Sequence, residues 1–295
     1  MAGLDGDGWI RCDQGHVHWG RFGAAGLLGY ARDERGQTRV LLQLRSWWSS
    51  HGRTWGLFGG ARRRDESAMA AALREAAEEC TLPGDMLHIR GAVRDDHGRW
   101  AYDTLVAQLP RPIRVDPLSR ETAAAAWVLS DTVGQLELHP GLAVLWPMLH
   151  DALAPLVIIV DAANVMGSRP DGWWRDRAGA AARLRDELAK LAGRGVRSLP
   201  EGVAAATLDV WFPEIVLVVE GAARSVADPV AAAAVAGAGS LRVVAARASG
   251  DDTIADLAAS TRGTRLVVTA DRELRRRSEA AGAAVTGPRW LLDQL

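Results

Sequence analysis

Gly60-Ala-Arg-Arg-Arg-Asp-Glu66, continued by Ser-Ala-Met-Ala-Ala-Ala-Leu-Arg74-Glu75-Ala-Ala-Glu78-Glu79-Cys80, decides the reading of the N-terminal half of this chain. From Glu66 to Cys80 there is neither Gly nor Pro, and Ala, Leu, Arg, Met and Glu dominate. That composition predicts a helix over 66–80. At about 100° per residue, Glu75, Glu78 and Glu79 fall on one arc of roughly a quarter turn. Met69, Leu73, Ala76 and Cys80 fall on the opposite arc, which is expected to anchor the helix. Three carboxylates this close repel one another, and a cation relieves the repulsion. Hard oxygen ligands on a rigid element select Mg²⁺ or Mn²⁺, which suits hydrolysis of a phosphoanhydride by metal-activated water. Arg74 stands one turn before Glu78 and is expected to orient it through a fork-shaped ion pair. The competing explanation is a solvated acidic helix face.

The same segment resembles the Nudix box, G-x5-E-x7-R-E-U-x-E-E-x-G-U, where U is a bulky apolar residue. Gly60, Glu66, Arg74, Glu75, Glu78, Glu79 and Leu82 match with the right gaps. Ala76 is small where the pattern is bulky, and Thr81 replaces the last Gly, so strain is expected in the turn after the helix. The approach Thr54-Trp-Gly-Leu-Phe-Gly-Gly60 is similar to the W-G-L-P-G-G entry of many members, with Phe58 in place of Pro. Trp127-Val128 and Leu138-His-Pro-Gly-Leu142 are similar to the closing segment of bacterial members. The likeness spans about residues 1–150. It implies a Nudix α/β/α sandwich with a mixed sheet and a metal-dependent pyrophosphohydrolase of a nucleoside-diphosphate-linked substrate. Glu75, Glu78 and Glu79 would be the metal ligands, one doubling as base, with Gly60, Glu66 and Arg74 bracing the box. Glu121, from another loop, is a candidate further ligand or base, or a solvated loop residue. Arg62, Arg63 and Arg64 are candidates to meet substrate phosphates.

After residue 155 the rhythm changes. Leu156–Val160, Ile215–Val219, Leu241–Ala245 and Leu266–Thr269 are apolar runs of strand length, with helices expected at Arg175–Gly193, Asp252–Ser260, Asp271–Ala281 and Pro288–Leu295. Alternation of this kind predicts an α/β domain with a mostly parallel sheet. The 295 residues exceed what one core needs. The expectation is two domains, 1–153 and 156–295, joined near Ala152–Pro155, in a combined α/β and α+β class.

Acidic residues follow the C-terminal strands: Asp161 with Asn164, Glu220, Asp251-Asp252 and Asp271. Ligands gather beyond the carboxyl ends of parallel strands, so these acids are expected to share one pocket and hold Mg²⁺ or Mn²⁺ for phosphodiester cleavage. Helix capping competes as an explanation for Asp252 and Asp271, and less easily for Asp161. The order resembles the PIN-like NYN nucleases of the YacP-type branch. Asp161-Ala-Ala-Asn164 matches D-x-x-N, Gly250-Asp251-Asp252-Thr253-Ile254 loosely matches G-x-x-D-x-x-I, and Thr269-Ala-Asp271-Arg272 matches T-x-D. The resemblance implies a ribonuclease with Asp161, Asp251 and Asp271 as ligands, and Asn164, Asp252, Asp256 and Arg272 in support. Glu220 stands where relatives tend to carry Asp. Arg272, Arg275, Arg276 and Arg277 suit RNA phosphates or a solvated helix face equally.

A net charge of −1 excludes a global field drawing the chain onto nucleic acid or membrane. Two cysteines make no disulfide framework. The start, MAGLDGDGW, lacks a signal-peptide pattern, and the Ala-rich run at 231–238 is too short to span a bilayer, so a cytoplasmic protein is expected. Cys12, His16 and His18 make half a zinc site, but tetrahedral zinc needs four ligands and no second half is visible. Trp47, Trp48 and Trp100 suit nucleobase stacking, though packing at the domain edge is the favoured use. The fused pair suggests nucleotide or RNA turnover, with 5′-end processing as one form. A C-terminal module that binds RNA or a partner without cutting, or a Nudix domain that only senses a nucleotide, are the alternatives.

Overall fold

The computed structural model describes residues 6–170, 172–203, 208–227 and 239–295. Residues 1–5 and the Ala-rich run at 231–238, which bear on the signal-peptide and spanning-segment expectations, lie outside the described residues. Among the described residues no helix is long and apolar enough to cross a membrane. The chain forms two compact units, Met1–Leu153 with Ala206–Asp209, and Ala154–Ala205 with Val210–Leu295.

The first unit opens with a hairpin, β1 (Trp9–Arg11) and β2 (Val17–Trp19), that the sequence pattern did not announce. Then follow β3 (Ala24–Arg32), β4 (Thr38–Arg45), β5 (Trp55–Gly56), β6 (Phe58–Ala61), α1 (Ala68–Glu79), β7 (His88–Asp96), β8 (Ala101–Gln108), β9 (Thr122–Leu129) and α2 (Pro140–Asp151). The sheet is mixed: β3 runs parallel to β8 and antiparallel to β4 and β6, while β7–β8, β4–β5 and β4–β9 are antiparallel. β3 is buried along almost its whole length, as its apolar run demands.

The Trp- and Gly-rich stretch around residues 55–61 contributes β5 and β6. Glycine makes β6 possible: a Cβ on Gly59 would stand 2.3 Å from the Ala25 carbonyl oxygen, so only a residue without one can pair there with β3. In α2 the buried side chains are Leu142, Trp146 and Leu149, while Val144 is 80% exposed. Pro at the first turn starts that helix, with the His139 ring accepting from the Gly141 amide. Trp47 and Trp48 are exposed rather than packed, whereas Trp100 is buried and stacks on His18 at 3.9 Å between ring centroids.

The second unit contains β10 (Leu156–Asp161), α3 (Ala162–Gly167), α4 (Arg177–Arg194), β11 (Val210–Trp211), β12 (Glu214–Val219), β13 (Ser240–Ala245), α5 (Gly250–Ser260), β14 (Thr264–Val268), α6 (Arg272–Ala280), β15 (Ala284–Thr286) and α7 (Pro288–Leu292). The sheet order is β13-β12-β10-β14-β15, and every pairing is parallel. β10 is buried at all six positions. Val157 and Ile159 pack with Ile254 and Ala258 of α5 and Leu274 of α6. α3 and β15 were not expected, being too short for a periodic signal. β12 and β14 flank β10 on opposite sides, so the carboxyl end of β10 is a topological switch point.

Candidate functional sites

Ser67 starts α1, its hydroxyl accepting the Ala70 amide at 3.1 Å. The buried side chains are Ala71, Ala72, Ala76 and Glu79, while Met69 and Leu73 are only partly covered. Of the expected anchor, Ala76 and Cys80 are buried and Met69 and Leu73 are not, so the buried face is shifted towards Ala71 and Ala72, with two of the carboxylates drawn in towards the glycine strand. Small side chains allow the close approach. A Cβ on Gly60 would lie 2.6 Å from Glu75 Oε2, so the glycine leaves room for that carboxylate.

Arg74 is the hub. Its Nε and Nη2 meet the two Glu66 oxygens at 2.8 and 2.9 Å, a bidentate fork. Nη2 also donates to the Ala61 carbonyl at 3.0 Å. Nη1 reaches Glu75 Oε1 at 2.7 Å and Glu78 Oε2 at 3.2 Å. The fork thus serves Glu66, not Glu78 as the spacing suggested. The guanidinium beside Glu66 holds its carboxyl down at about 2.

Glu79 is buried, and its Oε2 takes hydrogen bonds from the Gly59 amide at 2.9 Å and Gln43 Nε2 at 3.3 Å. Burial pushes its carboxyl up to about 7; the charges of Glu75 and Glu121 add to the rise, and the Gly59 amide and Arg45 oppose it. Glu75 is raised as well, chiefly by burial, with Arg74 opposing and Glu78 and Glu66 adding. Glu78 is about half exposed and meets Arg63 at 3.4 Å. Glu121 is exposed, in the turn before β9, yet near enough to act on Glu79. Glu75 and Glu79 raise each other's cost of ionisation, and all three glutamates offer hard oxygens. Such a donor set fits a divalent cation, which would offset that repulsion.

The supporting residues that sequence reasoning missed are polar groups inside strands. Gln43 is fully buried in β4; its Nε2 donates to the Leu57 carbonyl at 2.7 Å, and its Oε1 accepts from Thr122 at 2.6 Å. A lone amide in Val40-Leu-Leu-Gln-Leu44 was the available signal. Asp103 of β8 pairs with Arg62 at 3.3 Å and Arg94 at 3.5 Å. Arg62 also donates to the Glu66 carbonyl at 2.7 Å, so it braces the loop rather than reaching outward for phosphate. Arg64 lies over the Phe22 ring at 4.9 Å. Thr81 has no positive φ; its hydroxyl accepts the Asp116 amide at 2.9 Å, so the expected strain is absent.

In the second unit Asp161 is buried at the end of β10. One oxygen caps α3 through the Asn164 amide at 3.1 Å; the other accepts Asn164 Nδ2 at 2.6 Å and Thr269 Oγ1 at 2.8 Å. Capping therefore does apply to Asp161. Asp271 caps α6 through the Leu274 amide at 2.7 Å, and its own amide donates to Thr269 at 3.1 Å. Glu220 accepts the Gly250 amide at 2.8 Å. Asp251 has its carboxyl raised, first by burial and then by Asp161, Asp271 and Glu220, with Arg277 opposing. Asp161, Glu220 and Asp271, which end or follow three strands, thus act on Asp251 in the first turn of α5. Asp252 is not a cap, because Ser249 caps α5; instead it meets Arg277 at 2.8 Å. Asp256 is exposed further along α5, and Arg272 is exposed at the start of α6. Neither is brought to the acids by a described hydrogen bond or ion pair.

A mixed sheet beside a carboxylate-bearing helix entered through two glycines, with an arginine tying its glutamates, is an arrangement suited to metal-assisted hydrolysis of a phosphoanhydride. The family model for the NUDIX domain matches residues 23–150. A protein of Mycobacterium tuberculosis named "Putative 8-oxo-dGTP diphosphatase 3" is 43% identical over 156 residues, 51% of this chain and 71% of that protein. The "Nucleoside triphosphate pyrophosphatase/Nudix hydrolase fusion protein" of Bifidobacterium longum is 39% identical over 146 residues, 48% of this chain and 30% of its own length. The crystal structure of the M. smegmatis Nudix hydrolase RenU is similar at 41% identity with a TM-score of 0.47, covering 50% of this chain and 95% of that one. The chain belongs to the Nudix family and is a hydrolase of phosphoanhydrides. Members of the family generally use divalent metals such as Mg²⁺ or Mn²⁺.

Proposed function

We propose that the N-terminal domain, residues 1–153, cleaves a nucleoside di- or triphosphate between phosphates, with Glu75, Glu78 and Glu79 as its metal-holding residues. The observation that carries this is the braced cluster itself: Glu79 buried against the Gly59 amide, Glu75 pressed over Gly60, and Glu75 and Glu78 both held by Arg74. A divalent cation bound there supplies charge neutralisation and an acidified water. The chain's own residues do the rest. The Gly59 amide and Gln43 hold Glu79 at one oxygen, Arg74 holds Glu75 and Glu78, and Glu66 fixes Arg74. Glu121 faces the same charge and is assigned a second-base or ligand role. Three carboxylates on one braced helix support turnover rather than mere sensing of a nucleotide. A purine nucleoside triphosphate is the substrate class favoured by the M. tuberculosis relative's name. The test is a Mg²⁺-dependent screen of nucleotides, including 8-oxo-dGTP, dinucleoside polyphosphates and triphosphorylated RNA, with Glu78→Gln as control. Turnover that Glu78→Gln leaves unchanged would remove the assignment.

We infer further that residues 156–295 form a PIN-like domain that acts on RNA, with Asp161, Asp251 and Asp271 holding Mg²⁺ or Mn²⁺ and Asn164 in support. What supports the reading is the meeting of Asp161, Asp271, Glu220 and Asp251 at the carboxyl edge of a parallel sheet. Asp161 and Asp271 also cap helices, so the two roles coexist. Asp252 and Asp256 are reassigned to the flank of the site, and Arg272 to its rim. The measurement is Mn²⁺-dependent cleavage of single-stranded RNA by the whole chain and by Asp161→Asn and Asp271→Asn. Equal cleavage by all three would exclude these acids, and binding without cleavage would make the domain an RNA-binding module.

A further inference from the structure

The β1–β2 hairpin places Cys12, His16 and His18 together, and the β7–β8 turn brings His97 to them. One donor atom from each of the four residues lies within 4.8 Å of all the others. His97 Nδ1 and His18 Nε2 face each other at 3.2 Å, while His97 Nε2 meets Asp95 Oδ1 at 3.2 Å. A carboxylate taking the Nε2 proton leaves Nδ1 free as a metal donor, the arrangement by which a carboxylate behind the ring orients metal-binding histidines. Around a tetrahedral zinc, with bonds of ~2.0–2.3 Å, donors stand ~3.3–3.8 Å apart. The four side chains need only small adjustments to reach that geometry.

We propose that Cys12, His16, His18 and His97 form a zinc-binding site separate from the glutamates of α1. One soft thiolate and three imidazoles select Zn²⁺ over Mg²⁺ or Mn²⁺, which prefer oxygen. Four protein ligands close the coordination sphere, so the site is structural and not hydrolytic. The scaffold is built without the metal. The Asp13 amide donates to the His97 carbonyl at 3.1 Å, and Asp13 pairs with Arg99 at 2.6 Å. Trp100 stacks on His18 and donates to the Trp19 carbonyl at 3.1 Å. Cys12 is buried in a small cluster with Ala24 and Trp100. The staple fastens the hairpin, whose outer ends lead to Gly6 and Gly23. Gly6 accepts the Arg21 amide, and Gly23 accepts the amide of Arg62, the residue that braces the glutamate loop. Zinc thus secures the N-terminal flank of the hydrolytic site.

The decisive measurement is Co²⁺ titration of the full chain in excess Mg²⁺, which occupies oxygen sites. One equivalent should give the intense visible spectrum of a tetrahedral ion with a thiolate charge-transfer band. Cys12→Ser should abolish that band, and Asp95→Asn should weaken Co²⁺ and Zn²⁺ binding about 10- to 100-fold. Zn²⁺ should also raise the Tm of the wild-type chain further when Mg²⁺ is already saturating, a readout that needs no variant. A wild-type chain without the charge-transfer band, or a band that survives Cys12→Ser, overturns the proposal and leaves His18 and His97 as a simple hydrogen-bonded pair.

Discussion

The two acidic loci carry similar charge by opposite construction. In the first unit the glutamates come from five consecutive residues of one helix; Arg74, fixed by its fork to Glu66, holds Glu75 and Glu78, and the Gly59 amide and Gln43 hold Glu79. In the second, the acids come from four separate segments, three beside strand ends and Asp251 in α5, and helix amides with the Thr269 hydroxyl do the tying. The consequence is visible in the carboxyl groups. Glu79, walled into the sheet, is pushed up to about 7, whereas Asp251 is raised at a more open rim. A contiguous site is preset by local helix geometry; a distributed one depends on the whole sheet.

The comparison can be broken most sharply with Glu79→Gln. It should lower kcat for nucleotide hydrolysis by on the order of 10³-fold, while circular dichroism stays unchanged. Asp161→Asn should leave the same rate within about twofold, since the sites lie in separate units. Equal losses from both substitutions would show that the loci are not independent.

Next in size is a pH effect. The Glu79 carboxyl, raised from 4.5 to about 7, stays protonated in the folded, metal-free chain below that value. Stability contributed by this group is therefore full below about 4.5 and is lost as pH rises through about 7, a difference of ~3 kcal/mol. Denaturant titrations from pH 4 to 8 should show this slope in the metal-free protein, and neither with saturating Mg²⁺ nor in Glu79→Gln. A slope that persists in Glu79→Gln would assign it elsewhere.

Arg74→Lys sharpens the hub argument. Lysine keeps the charge but cannot make the fork to Glu66 while reaching Glu75 and Glu78. The expected loss in kcat/KM is about 10- to 100-fold, with weaker Mg²⁺ binding. Full activity would show that charge alone suffices. The smallest effect belongs to Thr81→Gly, which restores the family pattern. Because Thr81 is unstrained and bonded to Asp116, this change should destabilise by about 0.5–1 kcal/mol, read from the denaturation midpoint. A gain in stability would mean that the turn is strained after all.

Legibility followed the range over which each feature is built. α1 and the parallel strands β10, β12, β13 and β14 were readable, since period and apolar runs are local properties. The glutamates were readable because a helix carries its own geometry. Orientation was legible only in part: of the stripe Met69, Leu73, Ala76 and Cys80, the last two are buried, while Ala71 and Ala72 pack in place of Met69 and Leu73. Gln43 and Asp103 were hidden because a polar residue in a strand reveals its partner only once the register is known. His97 was hidden for the same reason, standing 79 residues from His18 in the chain.

By itself the sequence determined the helix with its three glutamates, the arginine that serves them and the alternation that makes a parallel sheet, because each depends on spacings of a few residues along a regular backbone. Tertiary structure alone decided which carboxylates are buried, that Arg74 grips Glu66, that four acids from separate segments converge, and that a fourth donor joins Cys12, His16 and His18. Those outcomes depend on how distant segments pair, and pairing is settled by the packing of the whole unit, which no short window of residues contains.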